Sequence, residues 1–190
     1  MAQDRYLIIG LGRFGAALAA SLAEQGAEVI AVDRDMAMVD AVKQKVAYAL
    51  ELDATDPQAL LSVDPLKCRA AIVAIGENFE ATVLTLAALK EVGVRDIIAR
   101  SRSARESRIL QAVGATEVIE LEAEMGRTFG RRLTRPEGSG RARLVLDDDG
   151  LLQAARQSLA DHARRRVHTT TGRKADDNLN RSRRIFLGKR

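Results

Sequence analysis

Tyr6-Leu7-Ile8-Ile9-Gly10-Leu11-Gly12-Arg13-Phe14-Gly15 decides the fold of this chain. An apolar run stops at a glycine, and an Ala/Leu pattern at helical spacing then runs over residues 14–22 toward Gly26, which reads as a C-cap residue by its position after the periodic segment. Strand, glycine turn and helix in that order satisfy the G-x-G-x-x-G dinucleotide fingerprint. Gly10 permits the tight turn, Gly12 lets a pyrophosphate approach the backbone, and Gly15 lets helix and strand pack closely. The amides that open the helix, from Arg13 and Phe14 onward, face the phosphates. In a chain with 14 Gly the turn alone is weak, but Asp33 follows 18 residues after Gly15, at the end of the next strand. An acidic side chain there accepts both ribose hydroxyls of an adenosine and repels a 2′-phosphate.

Outward from this unit, strands and helices alternate. Residues 28–32 read as a second strand, 36–45 as a helix with Met36, Val39, Ala41 and Val42 on one side, and 46–50 as a third strand. Thr55-Asp56-Pro57 signals a short helix through Ser62. Residues 70–75, apolar throughout, predict a strand covered on both faces. A helix over 79–92, a strand over 96–99, a helix over 104–113, a strand over 117–119 and a helix over 121–133 complete the series before Pro136. Six strands joined by helix-length segments require right-handed crossovers. The expected fold class is therefore α/β, a doubly wound parallel six-stranded sheet of Rossmann-like type.

Open α/β sheets bind ligands beyond the carboxyl ends of their strands, which brings further residues to the same crevice. Asp53-Ala54-Thr55 follows the third strand and either borders the adenine or belongs with Asp56 to a helix N-cap. Ile75 ends the fourth strand and Gly76-Glu77-Asn78 follows it, where Gly76 answers either the close approach of a ligand or a positive φ. Arg100 ends the fifth strand and either reaches a phosphate or is solvated or ion-paired. Arg13 is a cation inside the glycine loop, next to the phosphates.

The 190 residues, 46% apolar and 29% charged, suffice for one complete α/β domain and a remainder. Cys68 is the one cysteine, which excludes a disulfide scaffold and a Cys-built zinc site; ahead of the fourth strand it reads as a small buried apolar residue. No apolar run approaches the roughly 18 residues of a membrane span, and the N-terminus lacks the regions of a secretory signal, so the cytoplasm is the expected location. Residues 1–134 carry 16 Lys/Arg against 19 Asp/Glu, whereas residues 135–190 carry 14 against 7. Apolar content falls across the same point, from 71 of 134 residues to 17 of 56. The sequence thus divides into a nucleotide-binding domain, 1–134, and a basic tail, 135–190, expected to be mostly disordered with one helix at about 151–165. A coding frame altered near Pro136 is one explanation of the shift. Arg164-Arg165-Arg166 and Arg181-Ser182-Arg183-Arg184 read as solvated runs, with anionic lipid or nonspecific nucleic-acid contact as the alternative. Both His162 and His168 lie in this tail, so the domain has no histidine for proton transfer. Binding without catalysis is the first reading, and an NAD-dependent oxidoreductase of unknown substrate is the alternative.

Gly10-Leu11-Gly12-Arg13-Phe14-Gly15, Val32-Asp33-Arg34-Asp35, Asp53-Ala54-Thr55, Val73-Ala74-Ile75-Gly76-Glu77-Asn78 and Gly114-Ala115-Thr116-Glu117-Val118-Ile119, followed by Glu124-Met125-Gly126, resemble the regulator-of-potassium-conductance domain of Trk/Ktr potassium-uptake regulators. The resemblance runs in order over about residues 5–134. It implies a cytosolic, non-catalytic regulatory subunit, peripheral at the inner face of the cell membrane, that forms homodimers and a ring beneath a membrane potassium transporter subunit and gates it. The implied cofactor is an adenine nucleotide, ATP/ADP or NAD/NADH. Asp33, with Arg34 beside it, would hold the ribose, the three glycines the phosphates, and Arg13 the terminal phosphate. Glu122 would take part in binding a divalent cation with ATP; the plainer reading of Glu120, Glu122 and Glu124 is acidic residues favouring a helix N-terminus. Dimerisation through the helix at 121–133 is also implied. Residues 135–190 depart from the family pattern of a second, several-stranded ligand-binding domain.

Overall fold

The computed structural model describes residues 4–134. The tail and its expected helix at 151–165 lie outside the described residues. Six strands, β1 (Arg5–Ile9), β2 (Glu28–Asp33), β3 (Tyr48–Glu51), β4 (Ala70–Val73), β5 (Ile97–Ser101) and β6 (Glu117–Glu120), form one sheet in the order β3-β2-β1-β4-β5-β6. Every neighbouring pair is parallel, as the alternation of strands and helices requires. The helices are α1 (Arg13–Glu24), α2 (Met36–Val42), α3 (Pro57–Leu61), α4 (Phe79–Glu91), α5 (Ala104–Val113) and α6 (Leu121–Leu133), with a 3₁₀ turn at Pro65–Lys67.

Successive side chains of a strand point to opposite faces, so the apolar runs of β1, β2 and β4 supply two cores at once. Leu7, Ile9, Ile30, Val32, Ala71 and Val73 join Leu60 of α3, Leu86 and Leu89 of α4 and Leu110 of α5 in one cluster. Ile8, Val29, Ala31 and Ile72 alternate with them and are equally buried; Leu18 and Leu22 of α1 and Val39 and Val42 of α2 are buried too. None of the helices among the described residues is long and apolar enough to cross a membrane.

Several boundaries differ from the sequence expectation. The helix expected over 36–45 ends at Val42, because the Lys45 amide donates to the Val42 carbonyl in a turn (2.8 Å). Val39 and Val42 are buried, but Met36 is 51% exposed and Ala41 is exposed as well. The third strand begins at Tyr48 rather than at residue 46, since its register is set by pairing with β2 from Ile30↔Tyr48 to Asp33↔Glu51. The fourth ends at Val73: the Ala74 amide still reaches the Ile9 carbonyl (2.7 Å), after which Ile75 leaves the ladder to pack against Gly10. The fifth runs on through Arg100 and Ser101, which pair with Ile119 and Glu120 of β6. A polar strand end is held there by backbone pairing that periodicity does not register.

Candidate functional site

The glycine turn lies at the carboxyl end of β1, between β2 and β4, where the strand order changes direction. Gly10 has φ +91°, and its amide donates to the Val32 carbonyl (2.9 Å), tying the turn to β2. A Cβ on Gly10 would stand 3.0 Å from the Ile75 backbone nitrogen. A Cβ on Gly15 would run into the Gly10 carbonyl oxygen, so the first turn of α1 rests directly on the end of β1. Gly12 is different. Its φ of −61° suits any residue, and nothing lies within 4 Å of where its Cβ would stand. The fold makes no demand for glycine at this position, and the open space in front of the α1 amides fits an approaching pyrophosphate. Phe14 is buried at the base of the turn, and Arg13 is exposed, with no ion pair among the described residues.

Asp33 closes β2 with its carboxylate already positioned. The Leu11 amide donates to Oδ2 (2.6 Å) and the Asp35 amide to Oδ1 (3.0 Å). Two oxygens offer about four lone-pair directions, so acceptor capacity remains for a pair of hydroxyls. Arg34 is exposed beside it. Across β3, the Thr55 hydroxyl (2.7 Å) and amide (3.0 Å) both donate to Asp53 Oδ1. Those two bonds, aided by the charge of Arg34 and opposed by burial, hold the Asp53 carboxyl below its ordinary value. The cap of α3 is a separate device: the Gln58 amide donates to Asp56 Oδ1 (2.8 Å). Asp53-Thr55 and Asp56 therefore make two adjoining turns, with Ala54 buried between them.

On the other side of the turn, Asn78 is occupied as the N-cap of α4, accepting from the Ala81 amide (3.0 Å). Gly76 has no positive φ, which leaves close approach as its reason. What approaches is the Arg100 guanidinium, which a Cβ on Gly76 would strike. Arg100 Nη2 in turn donates to Glu122 Oε1 (2.5 Å) in the first turn of α6. Of the two alternatives for Arg100, the ion pair is the one present. Burial pulls the Glu122 carboxyl upward, but the hydrogen bond from Arg100 and the charges of Arg100 and Arg102 outweigh it and leave the group below its ordinary value. No group of three or more His, Cys, Asp and Glu residues placed to hold a metal ion occurs among the described residues. Nearby, Ser107 of α5 joins Ser101 (2.7 Å) and donates to Glu120 (2.8 Å), a network that binds the end of β6 to α5. Sequence reasoning missed it, and two serines six positions apart carry no signal that would have found it.

Cys68 stands at the opposite, amino-terminal end of β4. Burial pushes its thiol up to about 11, well away from a reactive thiolate at neutral pH. It is a half-buried apolar neighbour of the main core, as its sequence position suggested.

Comparison with known proteins gives the family of this fold. Residues 6–121 match the family model of the TrkA-N domain. The chain is 33% identical over 131 residues to the Ktr system potassium uptake protein C of Bacillus subtilis, covering 69% of this chain and 59% of that protein. It spans about three fifths of the length of the curated relatives it matches. Among solved structures, the TrkA-N domain of the inner membrane protein ybaL from Escherichia coli superposes with a TM-score of 0.60 at 22% identity, over 70% of this chain and 98% of that one. The GsuK channel bound to NAD superposes with a TM-score of 0.56 at 19% identity, over 68% of this chain and 23% of that one. Both structural likenesses are likenesses of fold. With the family model matching more than half of its length, the chain belongs to the TrkA-N domain family.

Proposed function

We propose that residues 1–134 form an adenine-nucleotide-sensing domain that regulates a membrane potassium transporter subunit from the cytoplasmic side, by binding and without catalysis. The observation that carries the reading is the pairing of an open glycine position, Gly12, with an Asp33 carboxylate held in place by the Leu11 and Asp35 amides. One end of that crevice suits phosphates and the other suits a ribose. Arg13, exposed at the mouth, supplies a cation for the terminal phosphate. Glu122 would contribute one carboxylate to a divalent cation accompanying ATP, the phosphates supplying the rest. NAD and ATP or ADP share the adenosine and the phosphates that these residues address.

The regulatory role is supported by the Ktr potassium uptake relative, and the ligand class by the GsuK channel solved with NAD. The oxidoreductase alternative has less to stand on. Hydride transfer to a substrate needs a proton-transfer group beside the nicotinamide, and the cysteine of this chain is at the wrong end of the sheet. α6, with Leu121, Met125 and Phe129 half-buried and Leu133 66% exposed, suits a helix that meets a second copy of the chain in a ring of homodimers.

Calorimetry of the full chain with ATP, ADP, NADH and NADPH tests the pocket. ADP, ATP and NADH should bind, NADPH should bind more weakly, and Asp33→Ala should weaken binding about 10- to 100-fold, the loss of hydrogen bonds to a charged acceptor. Equal affinity of Asp33→Ala for every ligand, or a preference for NADPH, would place the ribose elsewhere.

A further inference from the structure

We propose that Arg100 is a switch residue: in the ligand-free chain it clamps the first turn of α6 through Glu122, and the phosphates of a bound nucleotide draw it away. This rests on the nucleotide reading above. The contacts form an unbroken line across the carboxyl ends of three strands. Gly10 is packed on Ile75, with only 3.0 Å between the position of a Cβ and the Ile75 nitrogen; the next residue, Gly76, lies under the Arg100 guanidinium; and Arg100 reaches Glu122 (2.5 Å). The cation thus lies two strands away from the turn that addresses the phosphates, with only β4 between.

Arg100 is under-used where it stands. A guanidinium has five N–H donors, yet Nε is buried with no hydrogen-bond partner, and the bond from Nη2 goes to a carboxylate whose side chain is 58% exposed. An ion pair with an exposed carboxylate is weak, whereas guanidinium and phosphate make a bidentate, charge-assisted pair. A phosphate within reach therefore competes with Glu122 on favourable terms. Beyond its N-cap residue, which Ser107 holds, the helix at the other end of the clamp is lightly packed. α6 has no fully buried residue, and Glu120 at its N-cap makes no capping hydrogen bond. Removing Arg100 leaves its start held by the Ser107–Glu120 hydrogen bond at the N-cap (2.8 Å) and its first turns by the half-buried Leu121 and Met125. Binding at the glycine turn is in this way coupled to the freedom of a helix three strands distant, and the coupling is reciprocal: whatever secures the clamp weakens the nucleotide.

Hydrogen–deuterium exchange on the full chain tests this, with ADP or NADH as probe and EDTA present so that Glu122 meets no metal ion. Without ligand, Arg100→Gln and Glu122→Ala should each speed exchange of the amides at 121–126 about three- to tenfold, and the double variant should exceed neither by much, the signature of one shared interaction. In the parent, ADP should protect residues 10–15 while speeding exchange at 121–126; in Arg100→Gln it should protect the turn and leave α6 unchanged. Glu122→Ala should bind ADP at least threefold more tightly. The proposal is overturned if Arg100→Gln leaves α6 exchange unaltered, or if ADP and NADH protect residues 10–15 yet slow or do not change exchange at 121–126. If neither ligand protects residues 10–15, the nucleotide reading itself has failed and takes the release step with it, and the ligand-free variants then show only a static clamp.

Discussion

Two glycines three positions apart answer to different demands, and substituting each by alanine separates folding from binding. In Gly15→Ala the new methyl meets the Gly10 carbonyl oxygen well inside van der Waals contact, with the Gly10 carbonyl carbon at 3.0 Å and the Ala74 Cβ at 3.2 Å behind it. The first two obstacles are backbone, so no rotamer change relieves the overlap. α1 has to move off β1 by roughly an ångström or more to restore ordinary contact distances. Overpacking on that scale costs about 3 kcal/mol, the upper part of the usual range. With a urea dependence of about 2 kcal/mol per molar for a domain of this size, the unfolding midpoint should fall by about 1.5 M. In Gly12→Ala nothing stands within 4 Å of the methyl, and φ −61° is allowed to alanine. The loss of a favoured N-cap residue and the gain from a stiffer unfolded chain nearly cancel, so stability should change by less than about 1 kcal/mol. The same methyl intrudes where the pyrophosphate must approach, and ADP affinity should fall at least tenfold. Urea denaturation followed by circular dichroism, with calorimetry on the folded variants, reads both quantities. A Gly15→Ala protein as stable as the parent would refute the packing argument, and a Gly12→Ala protein that binds ADP normally would remove the phosphates from this turn.

Two further outcomes are expected. Asn78→Ala removes the side-chain acceptor for the Ala81 amide and should lower stability by about 1 kcal/mol, visible as a smaller shift in the same urea midpoint, whereas a nucleotide role for Asn78 predicts lost affinity at constant stability. Cys68, its thiol pushed up to about 11, should react with iodoacetamide at pH 8 roughly a hundredfold more slowly in the native chain than in urea; equal rates would mean that the thiol is not desolvated.

How much of this was legible beforehand follows from the range of the interactions involved. The glycine turn, Asp33 and the parallel order of elements rest on local chemistry: a φ that favours glycine, an apolar run, a helix start. Sequence carries such information within a few residues. The start of β3 at Tyr48 and the extension of β5 to Ser101 were not legible, because both are set by backbone pairing with strands elsewhere in the chain. Met36 was misplaced because helical spacing identifies a face without saying how much of it is covered, and of that face in α2 Val39 and Val42 are buried while Met36, its first residue, is not. The site shows the same division. Arg100 and Glu122 were each singled out as separate candidates, one for a phosphate and one for a cation. Their union spans 22 positions of sequence, and nothing at either position announces the other.

The pairing of β1 with β4, from Tyr6↔Ala70 to Ile9↔Val73, also sets an order of events in synthesis. β1, β2 and β3 are adjacent both in sequence and in the sheet, so a nascent chain ending near Ser62 already has the strands, the glycine turn and Asp33 needed for one wall of the crevice. The opposite wall, Ile75 and Gly76, arrives only after the crossover through α3 has been made. Loop closure over that distance is the slow, non-local step in assembling the sheet. A ribosome-bound chain stalled before Val73 therefore presents a half-crevice and an unpaired edge of β1, the form of this protein most exposed to strand addition by a neighbour.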